Sequence, residues 1–377
     1  MQTFSSAGFT ETSDTKSMTA LSQNEARVLH SLIKWPNLSD QAIHSKIGMK
    51  KSTFSSIKAR LREHNYFKRY FIPNFPKISF ELLLVMHGNL NRFTTLEERM
   101  RVAGDVIKAF DEDFYIISES NKAFNLSISQ NYTEYAKNQE KFLQIYSENK
   151  FLTREGMQTD AYPFEISRFR AFMDYEAVVA KVFGFEYGPY SDNLLIPTEA
   201  VKKVKLSKAE RKVLVGLVKY PEESDTLIAE KVGVSRNTVA NAKRKFLREK
   251  ICFPRVVPNL EKLGFKLLVF THRKFNARTT MEQRTEAVEL VRKLIAPHFY
   301  VSRNLDGFLI SAHTSFDEYN KAFDEVMKFY LKNDYISEEP SSYHISIADM
   351  AVIKDYDFLP VTMKILGFDP KKSIADH

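Results

Sequence analysis

An internal repeat constrains this 377-residue chain more than any other feature. The pattern Leu21-Ser22-x-x-Glu25-x-Arg27-Val28-Leu29-x-x-Leu32-x-Lys34-x-Pro36 returns as Leu206-Ser207-x-x-Glu210-x-Lys212-Val213-Leu214-x-x-Leu217-x-Lys219-x-Pro221. One constant offset then pairs Ser39-Asp40 with Ser224-Asp225, Gly48 with Gly233, Pro73-Asn74 with Pro258-Asn259, and Phe114-Tyr115 with Phe299-Tyr300. The period is far longer than the roughly 20–50 residues of a solenoid unit, so each copy is a complete module. With 44% hydrophobic and 13% aromatic residues, both copies have the apolar side chains to bury a core of their own.

Each copy opens with helical periodicity. Ala26, Leu29, Leu32 and Ile33 make one apolar stripe that Trp35-Pro36 ends. Ser39 is placed to cap a second helix with Ala42, Ile43 and Ile47 inward, and Gly48 breaks it; Ser224, Leu227, Ile228, Val232 and Gly233 repeat the arrangement. A third helix follows at once, with Phe54, Ile57 and Leu61, or Val239, Ala242 and Phe246, on its buried side and a polar, basic opposite face. Three short helices with a tight turn before the last predict a helix-turn-helix, whose last helix can enter the major groove. The aromatic and β-branched stretches Tyr66 to Pro73 and Ile251 to Pro258 then predict a β wing. A formal net charge of +8 favours an anionic partner.

On this basis double-stranded DNA is the expected partner. Lys51, Ser52, Ser55 and Ser56 in the first copy, and Arg236, Asn237 and Asn241 in the second, stand where bases are read. Arg suits the guanine edge and Asn the adenine edge, whereas Ser and a point-charge Lys discriminate less, so the target is expected to be asymmetric. Lys58, Arg60, Arg62, Lys68 and Arg69, with Lys243, Arg244, Lys245, Arg248 and Arg255, are the candidate phosphate contacts.

After Pro76 the pattern alternates between types. Apolar strands at Phe80 to Met86, Phe114 to Ile117 and Phe124 to Ile128, helices at Thr95 to Phe110 and Tyr132 to Tyr146, and a last strand between Met157 and Ile166 predict βαββαβ. The second copy repeats this order from Phe265 to Ile347. The predicted fold class is therefore α+β: two copies of a winged helix-turn-helix followed by a ferredoxin-like βαββαβ domain. The divisions are a disordered tail over 1–20, winged helices over 21–74 and 206–259, βαββαβ domains over 75–185 and 260–368, a linker over 186–205 and a tail over 369–377.

The runs Leu206-Ser207-Lys208-Ala209-Glu210-Arg211-Lys212-Val213-Leu214, Ile228-Ala229-Glu230-Lys231-Val232-Gly233-Val234-Ser235-Arg236-Asn237-Thr238-Val239 and Pro258-Asn259-Leu260-Glu261-Lys262-Leu263-Gly264 resemble the Lrp/AsnC transcription regulators, and Leu305-Asp306-Gly307-Phe308-Leu309-Ile310 resembles their second hairpin. The resemblance implies a sequence-specific DNA-binding regulator in which the tandem copies form an intrachain pseudo-dimer. It also implies a small-molecule effector at the βαββαβ domains and leaves open whether the pseudo-dimer pairs again. Arg303 and Asn304, and in the first copy Asn121-Lys122-Ala123, occupy the place of that family's usual glycine. Siroheme decarboxylases are similar in architecture, and His298-Phe299-Tyr300-x-x-Arg303 with His313 has residue types that could meet a tetrapyrrole carboxylate and move protons. A replication initiator with tandem winged helices is a third alternative.

No enzyme is expected. The sequence holds no His-x-x-x-His pair, no phosphate-binding lysine loop, no dinucleotide glycine turn and no nucleophile elbow, so no catalytic residue, metal or cofactor is assigned. The single cysteine, Cys252, forms no intramolecular disulfide, and neither a secretory leader nor a long apolar run is present. A cytoplasmic, nucleoid-associated protein without membrane contact is expected.

Overall fold

The computed structural model describes residues 21–190 and 202–377, so the expected tail over 1–20 and the middle of the expected linker lie outside the described residues. Helices α1 (Gln23–Lys34), α2 (Asp40–Lys46) and α3 (Lys51–Glu63) make the first helix-turn-helix. Their counterparts in the second copy are α7 (Lys208–Lys219), α8 (Asp225–Val232) and α9 (Arg236–Arg248). The starts are set by side chains one can read in the sequence. Ser22 and Ser207 accept from the amides of Glu25 and Glu210, whose carboxylates reach back to complete capping boxes, and Ser39 and Ser224 cap α2 and α8. Such a cap contributes about 1 kcal/mol. The copies differ at the last helix: Ser235 caps α9, while α3 begins at Lys50 with no side-chain cap.

The stretches expected to be wings are strands, but they are spent on each other. β1 (Phe67–Pro73) and β7 (Cys252–Pro258) pair antiparallel, from Phe67 opposite Pro258 to Pro73 opposite Cys252, and join the two helix-turn-helix units in one ribbon.

The first ferredoxin-like unit runs β2 (Leu82–Leu90), α4 (Leu96–Ala109), β3 (Asp113–Glu119), β4 (Lys122–Ser129), α5 (Tyr132–Glu148) and β5 (Leu152–Pro163). The second runs β8 (Leu267–Lys274), α10 (Thr285–Leu294), β9 (Phe299–Ser302), β10 (Asp306–His313), α11 (Phe316–Lys332) and β11 (Ser341–Ser346). The fold is thus α+β, with winged-helix units and ferredoxin-like sheets. Each sheet has a fifth strand that the other half supplies. β6 (Arg168–Phe172) leaves the first half to lie on β9, and β12 (Ala351–Lys354) leaves the second to lie on β3. The sheets pack face to face through rings such as Phe124, 4.2 Å from Phe270 and 5.6 Å from Phe308. Between them His87 Nε2 meets Asp160 at 3.1 Å. Helices α6 (Glu176–Phe183) and α12 (Leu359–Leu366) return to pack on α1 and α7.

Phe75, in a 3-10 turn after β1, is fully buried, and its ring lies within 6.3 Å of the rings of Phe80, Phe114, Phe164, Phe172 and Phe358. It joins elements of both halves. Phe75→Ala is expected to cost about 3–5 kcal/mol, read as a lower urea midpoint in a single transition shared by near-ultraviolet and far-ultraviolet circular dichroism.

Candidate functional site

Two places in the molecule gather polar groups with chemistry to offer. The first is the outer face of the third helices. Lys51, Ser52, Ser55, Ser56, Arg236, Asn237 and Asn241 are all exposed there. The basic residues behind them have other partners. Lys58 holds both Asp40 oxygens at 2.8 Å and Arg60 holds Glu25 at 2.8 Å; the equivalent pairs in the second copy are Lys243 with Asp225 at 2.9 Å and Lys245 with Glu210 at 2.6 Å. These repeated pairs clamp the third helix to the first two. Arg62 faces Glu222 at 3.7 Å, Arg248 meets Glu249 at 2.8 Å, Arg244 donates to the Asn241 side chain, and Lys68 meets Asp355 at 2.7 Å. Exposed pairs of this kind are weak enough to be exchanged for a phosphate.

Two of the expected phosphate contacts are turned inward. Arg69 donates to the Pro36 carbonyl at 2.6 Å, and Arg255, only 4% exposed, donates to the Phe172 carbonyl at 3.2 Å. The pairing of β1 with β7 places this ribbon against the rest of the protein instead of leaving it as a free wing, so Arg255 is enclosed and Arg69 is half-buried.

The second place is the face of the second sheet that α10 and α11 cover. Strand alternation sends Thr271 and Arg273 of β8, Tyr300 and Ser302 of β9, and Leu309 of β10 to this side, where two small adjoining cavities share Tyr330 of α11. Each cavity has a volume of about 10 Å³, room for one water. Arg273, 3% exposed, donates to the Tyr330 hydroxyl and lies 5.4 Å from the centre of the Tyr300 ring, and its Nε has no hydrogen-bond partner. Arg284, 4% exposed, lies 3.7 Å over the Phe275 ring and donates to the carbonyls of Thr280 and Asn304 at 3.1 Å each. Arg170 of the exchanged strand β6 lines the same cavity as Arg284, and its Nε too is buried without a partner. The groups that act electrostatically on Arg273 are tyrosines, and those on Arg284 are tyrosines and the arginines 273 and 168. Among the described residues, then, no carboxylate neutralises these cations.

The same face carries histidines. His313 bonds the Ser311 hydroxyl at 2.9 Å through Nε2 and faces Glu318 at 3.9 Å through Nδ1. Its contact with Glu318 draws that carboxyl down to about 2, while burial lowers His313 itself. His298 stacks on Tyr175 with ring centres 4.5 Å apart, and burial pushes it down to about 3. Arg303, by contrast, is forked onto Asp306 at 2.7–2.9 Å beside the Tyr162 ring. The sequence pointed to His298, His313 and Arg303 but not to Arg273, Arg284, Arg170 or Tyr330. The one available signal was Arg273 itself, which stands in a strand where the first copy has Gly88. Among the described residues no group of His, Cys, Asp and Glu is arranged to hold a metal ion, and no helix is long and apolar enough to cross a membrane.

The sequence matches no family model and no curated protein. Among solved structures, the chain is similar to the siroheme decarboxylase NirDL, with a TM-score of 0.52 and 7% identity over 91% of this chain and 99% of that one. The same enzyme in co-complex with an iron-uroporphyrin III analogue gives a TM-score of 0.50 and 8% identity, covering 91% and 98%. An AsnC family transcriptional regulator from Agrobacterium tumefaciens gives 0.32 and 18% identity, covering 37% of this chain and 90% of that one. The expectation that the chain is no enzyme is corrected by the first of these. The succession of elements that argued for a regulator is, along 91% of the chain, the architecture of an enzyme.

Burial holds His298 at about 3 and His30 at about 4, so both are neutral in the folded chain at pH 5, whereas an unfolded histidine protonates near pH 6.5. The unfolded state therefore binds more protons below pH 6.5, and the stability this burial confers is complete above that pH and lost on acidification, at up to about 1.4 kcal/mol per pH unit for each group. His298→Gln should flatten the change in urea midpoint between pH 7 and pH 5 relative to the unaltered chain.

Proposed function

We propose that the chain acts on a carboxylated small molecule in its second βαββαβ domain, with chemistry of the siroheme decarboxylase type. The observation that carries this is the set of guanidinium groups around Tyr330, two of them buried and none neutralised by a carboxylate among the described residues. Arginine keeps its charge at any accessible pH, and a buried charge without a counter-ion costs several kcal/mol. A substrate carboxylate would supply the counter-ion and take charge-assisted, forked hydrogen bonds.

Decarboxylation on such a clamp breaks the bond from carbon to carboxylate and releases carbon dioxide. The electron pair stays on the substrate carbon, which then takes up a proton. His313, tied to Ser311 and facing Glu318 on the same face of the sheet, is the group we assign to carry that proton. Cavities of about 10 Å³ admit no macrocycle while α10 and α11 rest on the sheet, so entry of a tetrapyrrole requires these helices to part from it. Incubation of the purified chain with siroheme, followed by mass spectrometry, is expected to reveal loss of carbon dioxide that Arg273→Gln abolishes. An unchanged mass together with an unshifted Soret band would remove the proposal.

One observation favours a second role. Arg236, Asn237 and Asn241 are exposed on a helix that Ser235 caps, and their residue types suit the edges of guanine and adenine. In that role the two copies bind double-stranded DNA as a pseudo-dimer, with the second reading head more selective than the first. Arg236→Ala is expected to cost about 1–3 kcal/mol on a selected site and to relax its sequence preference, measured by mobility shift at fixed salt. Equal loss on all sequences would instead mark Arg236 as a phosphate contact.

A further inference from the structure

We propose that the cavity at the start of α10 is a site for a monatomic anion of the size of chloride, shared between Arg170 of the first half and Arg284 of the second. The burial of these cations and the size of the cavity carry this assignment, which holds whatever reaction the chain performs.

The site is assembled from elements of both halves. The exchanged strand β6 lies on β9 and brings Arg170 to the cavity that Arg284, Tyr300 and Ser302 also line. Arg284 is 4% exposed, and its bonds to the carbonyls of Thr280 and Asn304 satisfy donors but leave its charge in place. Arg170 Nε is buried with no hydrogen-bond partner. Arg273, which lines the adjoining cavity that shares Tyr330, adds to the positive field at Arg284. Arg168 adds to it as well, but is matched by Glu282 at 2.5 Å. Helix α10 begins at Arg284 with no side-chain cap, and Ala287 of its first turn lines the cavity, so the positive end of the helix contributes to the same field.

Size then selects the anion. The cavity has a volume of about 10 Å³, and Phe275, Met281, Ala287 and Val288 close its remaining walls. A carboxylate, sulfate or phosphate is a group of several heavy atoms and does not fit while α10 rests on the sheet. A water fits but carries no charge, so the guanidinium groups stay uncompensated. Chloride, a single sphere little wider than a water, supplies the missing charge and accepts from Arg170, Arg284 and the Ser302 hydroxyl. The apolar walls strengthen the attraction, because charges interact more strongly where bulk water is excluded. An anion held there fastens α10 to the exchanged strand.

The test follows thermal unfolding of the full chain while chloride replaces gluconate, an anion too large for the cavity, at constant ionic strength. Anomalous diffraction from crystals grown in bromide locates the ion. Tm is expected to rise with chloride along a saturating curve, with a bromide peak beside Arg170 and Arg284. Arg170→Gln and Arg284→Gln should each weaken the chloride response about tenfold, equivalent to about 1.4 kcal/mol for one charge-assisted contact. Ser302→Ala, a milder change that serves should an arginine variant fail to fold, should shift the curve to higher chloride. Lys137→Gln, on the exposed face of α5, should leave the curve unchanged and so exclude general screening of surface charge. Turnover of siroheme is read separately: its absence beside an intact chloride response would remove the decarboxylase assignment and keep this site. Equal responses to chloride and gluconate, an undiminished response in both arginine variants, or crystals without bromide beside them would overturn it.

Discussion

Each sheet of this molecule is completed by a strand from the other half: β6 lies on β9, β12 lies on β3, and β1 pairs with β7. A sheet edge left open presents a row of unpaired amides and carbonyls, which is costly to bury and hazardous to expose. Three exchanges between the two copies cover the outer edges of β9 and β3 and pair the two wings with each other. They also make the copies interdependent, because each five-stranded sheet takes its fifth strand from the other half. Carrying both copies in one chain keeps the exchange partners at an effective concentration that no dilution lowers. The aromatic cluster around Phe75, the opposition of the two sheets and the delivery of Arg170 to the other half all follow from this arrangement.

Within that symmetric frame the two halves keep what is structural and vary what is chemical. The capping boxes at Ser22 and Ser207 and the ion pairs Lys58 with Asp40 and Lys243 with Asp225 are the same in both. Behind the helices the halves part company. Asp113, which burial pushes up to about 6, has His298 as its counterpart, and Gly88 has Arg273. The first layer gathers Met86, Phe110 and Phe142 near the buried Arg99, whereas the second gathers Arg273 and Arg284 around Tyr330.

The balance between nucleic acid and small molecule turns on where positive charge is free. The chain carries +8 overall, yet most basic residues of the third helices are engaged with acids of their own unit, and Arg69 and Arg255 face inward. Exposed pairs cost little to exchange, so they lower the free positive charge of the third helices without removing it. The buried guanidinium groups have no such partners, and desolvation makes their charge far more consequential than that of any surface lysine.

Much of the fold was legible because it is written locally. Stripes of apolar residues three and four apart, serine caps and alternating strands act within a turn or two of the chain, and the repeat doubled every signal. The sequence by itself thus determined two helix-turn-helix units, two βαββαβ units and the exposed helix faces that carry Lys51 and Arg236. It could not reveal that the presumed wings pair with each other or that β6 and β12 change sheets, since a strand's hydrogen-bonding partner is chosen by which distant edge is open. Nor could it single out Arg273, which in sequence is one more charged residue at the end of a strand. Only when α10 and α11 close over that face of the sheet does its charge lose its water, and that loss is a property of the tertiary structure alone.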